Sequence, residues 1–342
     1  MNKKPKKTRS PGKGRAKPAL VIDFHAHILN PKVFEITRQH SLHARIGLGE
    51  RTSLGNAEQS TVATDRMTNL AGRLADLDRM KIDIQVISPS LIHQNTASMN
   101  GPQALKLVRE VNDDVAEAVV RHPDRLVGIG IVPFHEPKLA AAELGRMVSR
   151  LDLRGVEIPS FVNGHELGDK MFRPFWRKAE KLDLPVFIHP AGNSDERLRR
   201  FGLAFSVGQP YEEALAMSSL IYEGVMDRFP KLKVLISHGG GYLPYYAGRQ
   251  DNAQRIGADG VKLKGSFSSY IRRFYYESVI FNPDMLDFLA TKTPASHIVM
   301  GTDYPFGERH PIRFVRRAKT LSRTAQDGIL GRNAAKILKL GI

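Results

Sequence analysis

The chain has 342 residues, 42% of them apolar and 25% charged, and it has no cysteine. This composition belongs to a globular protein with a large core. It excludes a wholly disordered chain, a collagen-like repeat, a disulfide-stapled miniprotein, a thiolate nucleophile, an iron–sulfur cluster and a cysteine-ligated zinc. The net charge is +16, but half of it lies in residues 1–17, where Lys3, Lys4, Lys6, Lys7, Arg9, Lys13, Arg15 and Lys17 stand without a single acid. The body that remains is moderately basic, which suits an acidic small-molecule substrate better than nucleic acid.

Residues 1–17, rich in Pro, Gly and Lys, are expected to be a disordered tail on one domain spanning 18–342. They hold no apolar run of the kind a secretory signal needs, and nothing in the chain reaches the ~18 consecutive apolar residues of a membrane helix. With no cysteine to protect, the expected location is the cytoplasm.

After the tail, short apolar runs alternate with helical patterns. Runs at 20–25, 82–88, 126–132, 155–158, 186–189, 234–238, 275–280 and 298–301 are mostly continuous and rich in Val and Ile, as strands buried on both faces should be. Helix-period stretches lie between them, at 70–80, 102–121, 137–151, 171–182, 212–229 and 284–291. A last one, 312–340, is expected to break near Gly328 or Gly331. Asn282-Pro283 is a helix start, with Asn as cap and Pro in the first turn. Eight strand–helix units predict a closed (β/α)8 TIM barrel. A doubly wound open sheet is the alternative, but the glycine-rich turn after its first strand is missing. The connection at 29–69, with Gly47, Gly49 and Gly55, is read as a long loop over the barrel mouth.

Barrel chemistry sits at the C-terminal strand ends. Those ends carry His25 and His27, then His189, His238 and Asp303. In an extended strand, residues two apart share a face, so both imidazoles of His25-Ala26-His27 can reach one cation. His189 and Asp303 complete a His3Asp donor set for a first-row divalent metal, with zinc the first choice and manganese or another ion the alternative. Such an ion would activate water or polarise a substrate oxygen. His238, before Gly239-Gly240-Gly241, is assigned general acid/base work; the alternative is a fourth histidine ligand. Asp303 is also a candidate for proton delivery. His93 after the second strand and Phe306 after Asp303 are candidate pocket residues, and His122 before Pro123 reads as a helix cap. Trp176 lies in a helical pattern and reads as packing. Glu157 is either a barrel-layer residue paired with Lys or Arg, or an extra pocket carboxylate. The absence of a Lys at its strand end argues against a carboxylated-lysine binuclear site.

Five segments in order carry a resemblance: Asp23-Phe24-His25-Ala26-His27, Phe187-Ile188-His189-Pro190, Phe229-Pro230-Lys231-Leu232-Lys233, Ser237-His238-Gly239-Gly240-Gly241 and Gly301-Thr302-Asp303-Tyr304-Pro305-Phe306. The chain resembles the amidohydrolase-related family typified by aminocarboxymuconate-semialdehyde decarboxylase. The resemblance implies a metal-dependent barrel and nonoxidative decarboxylation of an unsaturated or aromatic carboxylic acid. It places His25, His27, His189 and Asp303 on the metal and gives His238 the acid/base role. It also implies that Arg249 reaches the substrate carboxylate of a neighbouring subunit, so that the unit is a homodimer. Arg66, or else Arg73, is the candidate for a second substrate arginine. Where the type enzyme carries Trp after the His-Pro of the fifth strand, this chain has Ala191-Gly192, so its pocket wall differs. A hydrolase or hydratase acting on a lactone, amide or ring uses the same donor set and stands as the rival enzyme reading. A barrel without activity whose tail binds a partner or nucleic acid is the non-enzyme one.

Overall fold

The computed structural model describes residues 20–40, 57–89, 95–192, 195–257 and 260–342. The basic tail, Gly47, Gly49, Gly55 and His93 lie outside these residues.

All eight apolar runs form strands: β1 Ile22–His27, β2 Ile84–Ser88, β3 Leu126–Gly128 resuming as Gly130–Ile131, β4 Val156–Pro159, β5 Val186–His189, β6 Val234–Ile236, β7 Tyr275–Glu277 and β8 Ile298–Val299. Every strand pairing in this series is parallel, from β1 to β3 and from the second part of β3 to β8. The ring closes because Phe24 N–H donates to Met300 O at 2.9 Å and His27 N–H to Tyr304 O at 2.9 Å. The fold is the (β/α)8 barrel that the strand–helix alternation predicts. A short antiparallel hairpin, Phe161–Val162 with His165–Glu166, follows β4.

Ile22, Phe24, Val86, Val127, Phe187, Leu235 and Val299 form a core inside the barrel, with Ala334 and Ile337 of the last helix and Leu338 at its end packed on it. Alternate residues of the same strands, such as Val156, Ile158, Val186 and Ile188, join the larger core between wall and helices. Trp176 is fully buried there, and its Nε1–H donates to Leu167 O at 3.0 Å; it packs, as its helical setting suggests.

Helices match the periodic stretches closely: Leu70–Met80, Gly101–Arg121, Pro137–Leu151, Arg173–Leu182, Gln209–Tyr222 and Pro283–Lys292. The stretch at 212–229 is interrupted by Gly224 at positive φ, and only Val225–Arg228 continues it. The C-terminal stretch breaks at residues 317–322, after Pro311–Arg316, and not at Gly328 or Gly331, where Arg323–Asp327 runs on into Asn333–Ile337 through a π-turn at Gly328–Arg332. The connection at 29–69 needs correction, since it is not all loop. Pro31–Thr37 is a helix whose Asn30 side chain accepts from Val33 N at 2.8 Å, and Ala57–Thr68 is another. Asn30-Pro31 is the same start signal as Asn282-Pro283.

Helix Leu70–Met80 brings a fully buried arginine against the seam of the barrel. Arg73 donates to Gln85 Oε1 at 2.7 Å and to the His27 carbonyl at 2.5 Å, and its guanidinium lies 4.7 Å from the Tyr304 ring centroid. Gln85 passes the link on to Asp23 Oδ2 at 2.8 Å, and Asp23 accepts from Thr302 N at 2.9 Å and Thr302 Oγ1 at 2.6 Å. Burial pushes the Asp23 carboxyl up to about 6 against these hydrogen bonds. The network ties β1 to the segment that carries Asp303. Arg73 is therefore not an exposed helix arginine, and its guanidinium is engaged in the seam.

Candidate metal centre and acid–base site

β1 would not deliver its histidines by strict alternation. Ile22 and Phe24 face the barrel interior, so an unbroken strand would turn His25 and His27 outward. The register on β2 slips by one residue between Asp23, opposite Gln85, and Ala26, opposite Ile87. This bulge reverses the phase of the strand and turns both imidazoles into the mouth.

His25, His27, His189 and Asp303 each offer a ligand atom, and these atoms all lie within 4.8 Å of one another. His27 Nε2 is 2.8 Å and His25 Nε2 3.3 Å from Asp303 Oδ1. His189 donates Nδ1–H to the Pro190 carbonyl at 3.1 Å, which leaves Nε2 unprotonated. Its ring centroid lies 5.1 Å from that of His25 and 5.0 Å from that of His27. Burial and the neighbouring imidazoles hold His189 well below its ordinary value; a neutral ring is the form that binds a cation. The Asp303 carboxylate is held well below the usual range: burial opposes its charge, but His25, His238 and His27 outweigh that. His25 Nε2 is fully buried and, among the described residues, has no hydrogen-bond partner. An orphaned buried nitrogen facing a carboxylate and two more imidazoles fits a divalent first-row ion.

His238 completes the mouth at the end of β6. Its Nε2 is 3.9 Å from Asp303 Oδ2, and its Nδ1 is 2.5 Å from Glu213 Oε1. Burial disfavours the charged ring, but Glu213, Asp303 and Glu277 together raise it well above its ordinary value. Both His238 and Asp303 have positive φ, 46° and 54°. Non-glycine residues in that region cluster where the surrounding structure over-determines the backbone, as at active sites. The following glycines also have positive φ. A Cβ on Gly239 would meet Ile280, one on Gly240 Tyr276, and one on Gly241 the Pro210 carbonyl. The close approach these glycines permit is to the protein itself.

Three glutamates escaped sequence reasoning. Glu277, fully buried at the end of β7, lies 3.3 Å from His25 Nδ1 and accepts the backbone N–H of His238 and that of Val279. Holding His25 through Nδ1 points its Nε2 at the centre. A carboxylate inside the apolar run at 275–280 was the available signal. Glu213 and Glu212 lie in the first turns of helix Gln209–Tyr222. Glu212 accepts from Ser160 Oγ at 2.6 Å, Ala191 N at 2.8 Å and Gly192 N at 3.1 Å, which fixes the turn after His189. Burial pushes Glu212 up to about 7 from 4.5, against those hydrogen bonds. Its protonated form therefore contributes stability that is fully present below about 4.5 and lost as pH rises through about 7. Glu212→Gln, neutral throughout and still an acceptor, is expected to flatten the decline of Tm across that window in thermal unfolding; an unchanged decline would rule this source out.

The remaining candidates are spread out. The Phe306 ring lies 5.7 Å from that of His27 and overhangs the cluster. Glu157 is buried and accepts from Ser88 Oγ. Arg66 points to Asp76, with Nε 3.8 Å from its Oδ2, and lines a cleft of about 270 Å³ with Arg79, Arg309 and the two neighbours of Asp303, Thr302 and Tyr304. Arg249 is exposed on helix Leu243–Arg255, and among the described residues no ion pair ties it to the cluster.

A family model described as amidohydrolase matches residues 22–340. The chain belongs to the amidohydrolase family. Within it, the chain is 31% identical to a 2-amino-3-carboxymuconate-6-semialdehyde decarboxylase of Dictyostelium discoideum, over 94% of this chain and 92% of that protein. It superimposes on the crystal structure of 5-carboxyvanillate decarboxylase from Sphingomonas paucimobilis with a TM-score of 0.84 and 25% identity, covering 94% of this chain and 99% of that one. The Novosphingobium aromaticivorans 5-carboxyvanillate decarboxylase, solved with manganese and 4-hydroxy-3-methoxy-5-nitrobenzoic acid, shares the fold at a TM-score of 0.86 and 23% identity, covering 95% and 97%. No helix among the described residues is long and apolar enough to cross a membrane.

Proposed function

We propose that the chain is a metal-dependent, nonoxidative decarboxylase of an unsaturated or aromatic carboxylic acid. The observation that carries this reading is the convergence of His25, His27, His189 and Asp303 beside His238, in a chain with several decarboxylases among its relatives. A divalent ion on those four residues, Zn2+ or Mn2+ by their donor chemistry, supplies Lewis acidity and an anchor for a carboxylate.

The chain's own part is proton handling. Loss of CO2 leaves an electron pair on carbon that needs somewhere to go. A proton delivered to that carbon from His238 Nε2, directly or relayed by the Asp303 carboxylate 3.9 Å away, comes first. Cleavage of the C–C bond then returns its electron pair to the unsaturated system as CO2 departs, and no oxidant is needed. Phe306 walls the pocket. Arg249, Arg66 and His93 are the proposed substrate contacts, with Arg249 acting across a homodimer as a bidentate carboxylate clamp. The exposed aromatic face beside it, Tyr242 and Tyr246 at the start of one helix and Tyr211 on the neighbouring one, supports a second copy as its cover. We place the enzyme in the cytoplasm as a single barrel domain from residue 18 onward.

The test pairs metal analysis of protein purified without added metal with CO2 release from a panel of aromatic and muconate-type acids. About one first-row ion per chain is expected, together with CO2 from at least one acid, lost on chelation and restored by Zn2+ or Mn2+. Metal without CO2 would favour hydrolysis or hydration on the same scaffold. A chain that neither holds nor takes up metal would overturn the reading.

A further inference from the structure

We propose that Glu213 is the positioning residue for His238, holding the Nδ1–H so that Nε2 is presented toward Asp303 and the substrate. Glu213 has no exposed surface. A carboxylate is costly to bury unless strong partners replace its water. Its partners are two consecutive residues, Ser237 Oγ at 2.7 Å and His238 Nδ1 at 2.5 Å, both on Oε1. Among the described residues the second oxygen, Oε2, is buried without a hydrogen bond, so the hydrogen bonds of Glu213 go to this one segment.

The support is rigid. Glu213 rides on helix Gln209–Tyr222, and its neighbour Glu212 grips the turn after His189 from the same helix. Glu277 takes the His238 backbone N–H from the other side. His238 is thus fixed at its backbone and at one ring nitrogen, and the other ring nitrogen is left for chemistry. A carboxylate on Nδ1 sets the tautomer, orients the ring and stabilises the ring when it carries charge. The inference rests on the proposed acid–base role of His238.

The experiment compares wild-type, Glu213→Gln and Glu213→Leu in the metal-loaded protein, with metal content, steady-state kinetics of CO2 release and the imidazole region of the ¹H–¹⁵N NMR spectrum as readouts. The His238 signal is assigned by its loss in His238→Gln. Wild-type protein is expected to show a His238 Nδ1–H resonance shifted far downfield by the short hydrogen bond. Glu213→Leu should lose it and lower kcat on the order of 10–100-fold, with KM and metal content within about twofold. Glu213→Gln, which still accepts from Nδ1–H but has no charge, should keep a weaker resonance and fall between. A metal-loaded Glu213→Leu protein with unchanged kcat, or an unchanged His238 resonance in either variant, would overturn the proposal. If Glu213→Leu does not fold, Glu213→Gln decides through the same resonance. If no acid releases CO2 from wild type, the decarboxylase reading fails while the NMR comparison still judges Glu213.

Discussion

His189→Ala is expected to leave a folded chain that no longer retains metal. Elemental analysis after dialysis should fall from about one ion per chain to near none, and CO2 release should fall by at least ~10³-fold, since Lewis acid and substrate anchor go together. The reason is geometric. His189 is the one ligand contributed by β5, across the mouth from the three that sit on β1 and after β8. Without it, His25, His27 and Asp303 crowd one side, with Asp303 Oδ1 already within 3.3 Å of both imidazoles. Three donors on one side would hold an ion less tightly than four around it. The fold itself should survive, because among the described residues the His189 side chain makes one hydrogen bond, a local one to the Pro190 carbonyl. A His189→Ala protein that keeps its full metal load would mean that the four residues are not the ligand set.

His238→Gln is expected to do the opposite: the metal stays and turnover goes. A loss of ~10²–10⁴ in kcat is the usual worth of a positioned acid or base, or about 3–5 kcal/mol of barrier. KM should change by only a few-fold, because the ring is assigned to proton transfer rather than to holding substrate. Its Nε2 stands 3.9 Å from Asp303 Oδ2, near enough to share a reacting atom with the metal side. Metal analysis separates this role from its alternative: loss of the ion along with activity would make His238 a fourth histidine ligand.

Much of the barrel was legible because parallel strands buried on both faces must be continuously apolar, and runs such as 186–189 and 298–301 have no other explanation at that length. The helices with a buried stripe were legible for the same reason. Helix Leu243–Arg255 was not, since it leaves Tyr246, Arg249 and Gly248 exposed and buries only Leu243, Pro244 and Ala247; too little of its surface is inside for a period to emerge. Pro31–Thr37 was hidden for want of length, although its cap was readable.

At the site, the sequence by itself determined the donors. Histidines and an aspartate at strand ends are local facts, and barrel topology makes strand ends converge. Only the tertiary structure decided how they face. The bulge between Asp23 and Ala26 turns His25 and His27 inward, and it depends on pairing with β2, not on the residues of β1 alone. Arg73 reads as a free helix cation until the seam against Gln85 and Tyr304 closes over it. Glu213 and Glu277 reach His238 and His25 from 25 and 252 residues away in the chain. No spacing rule links such pairs, because their meeting is set by how a helix packs on the barrel and how the barrel closes, and those are properties of the whole core.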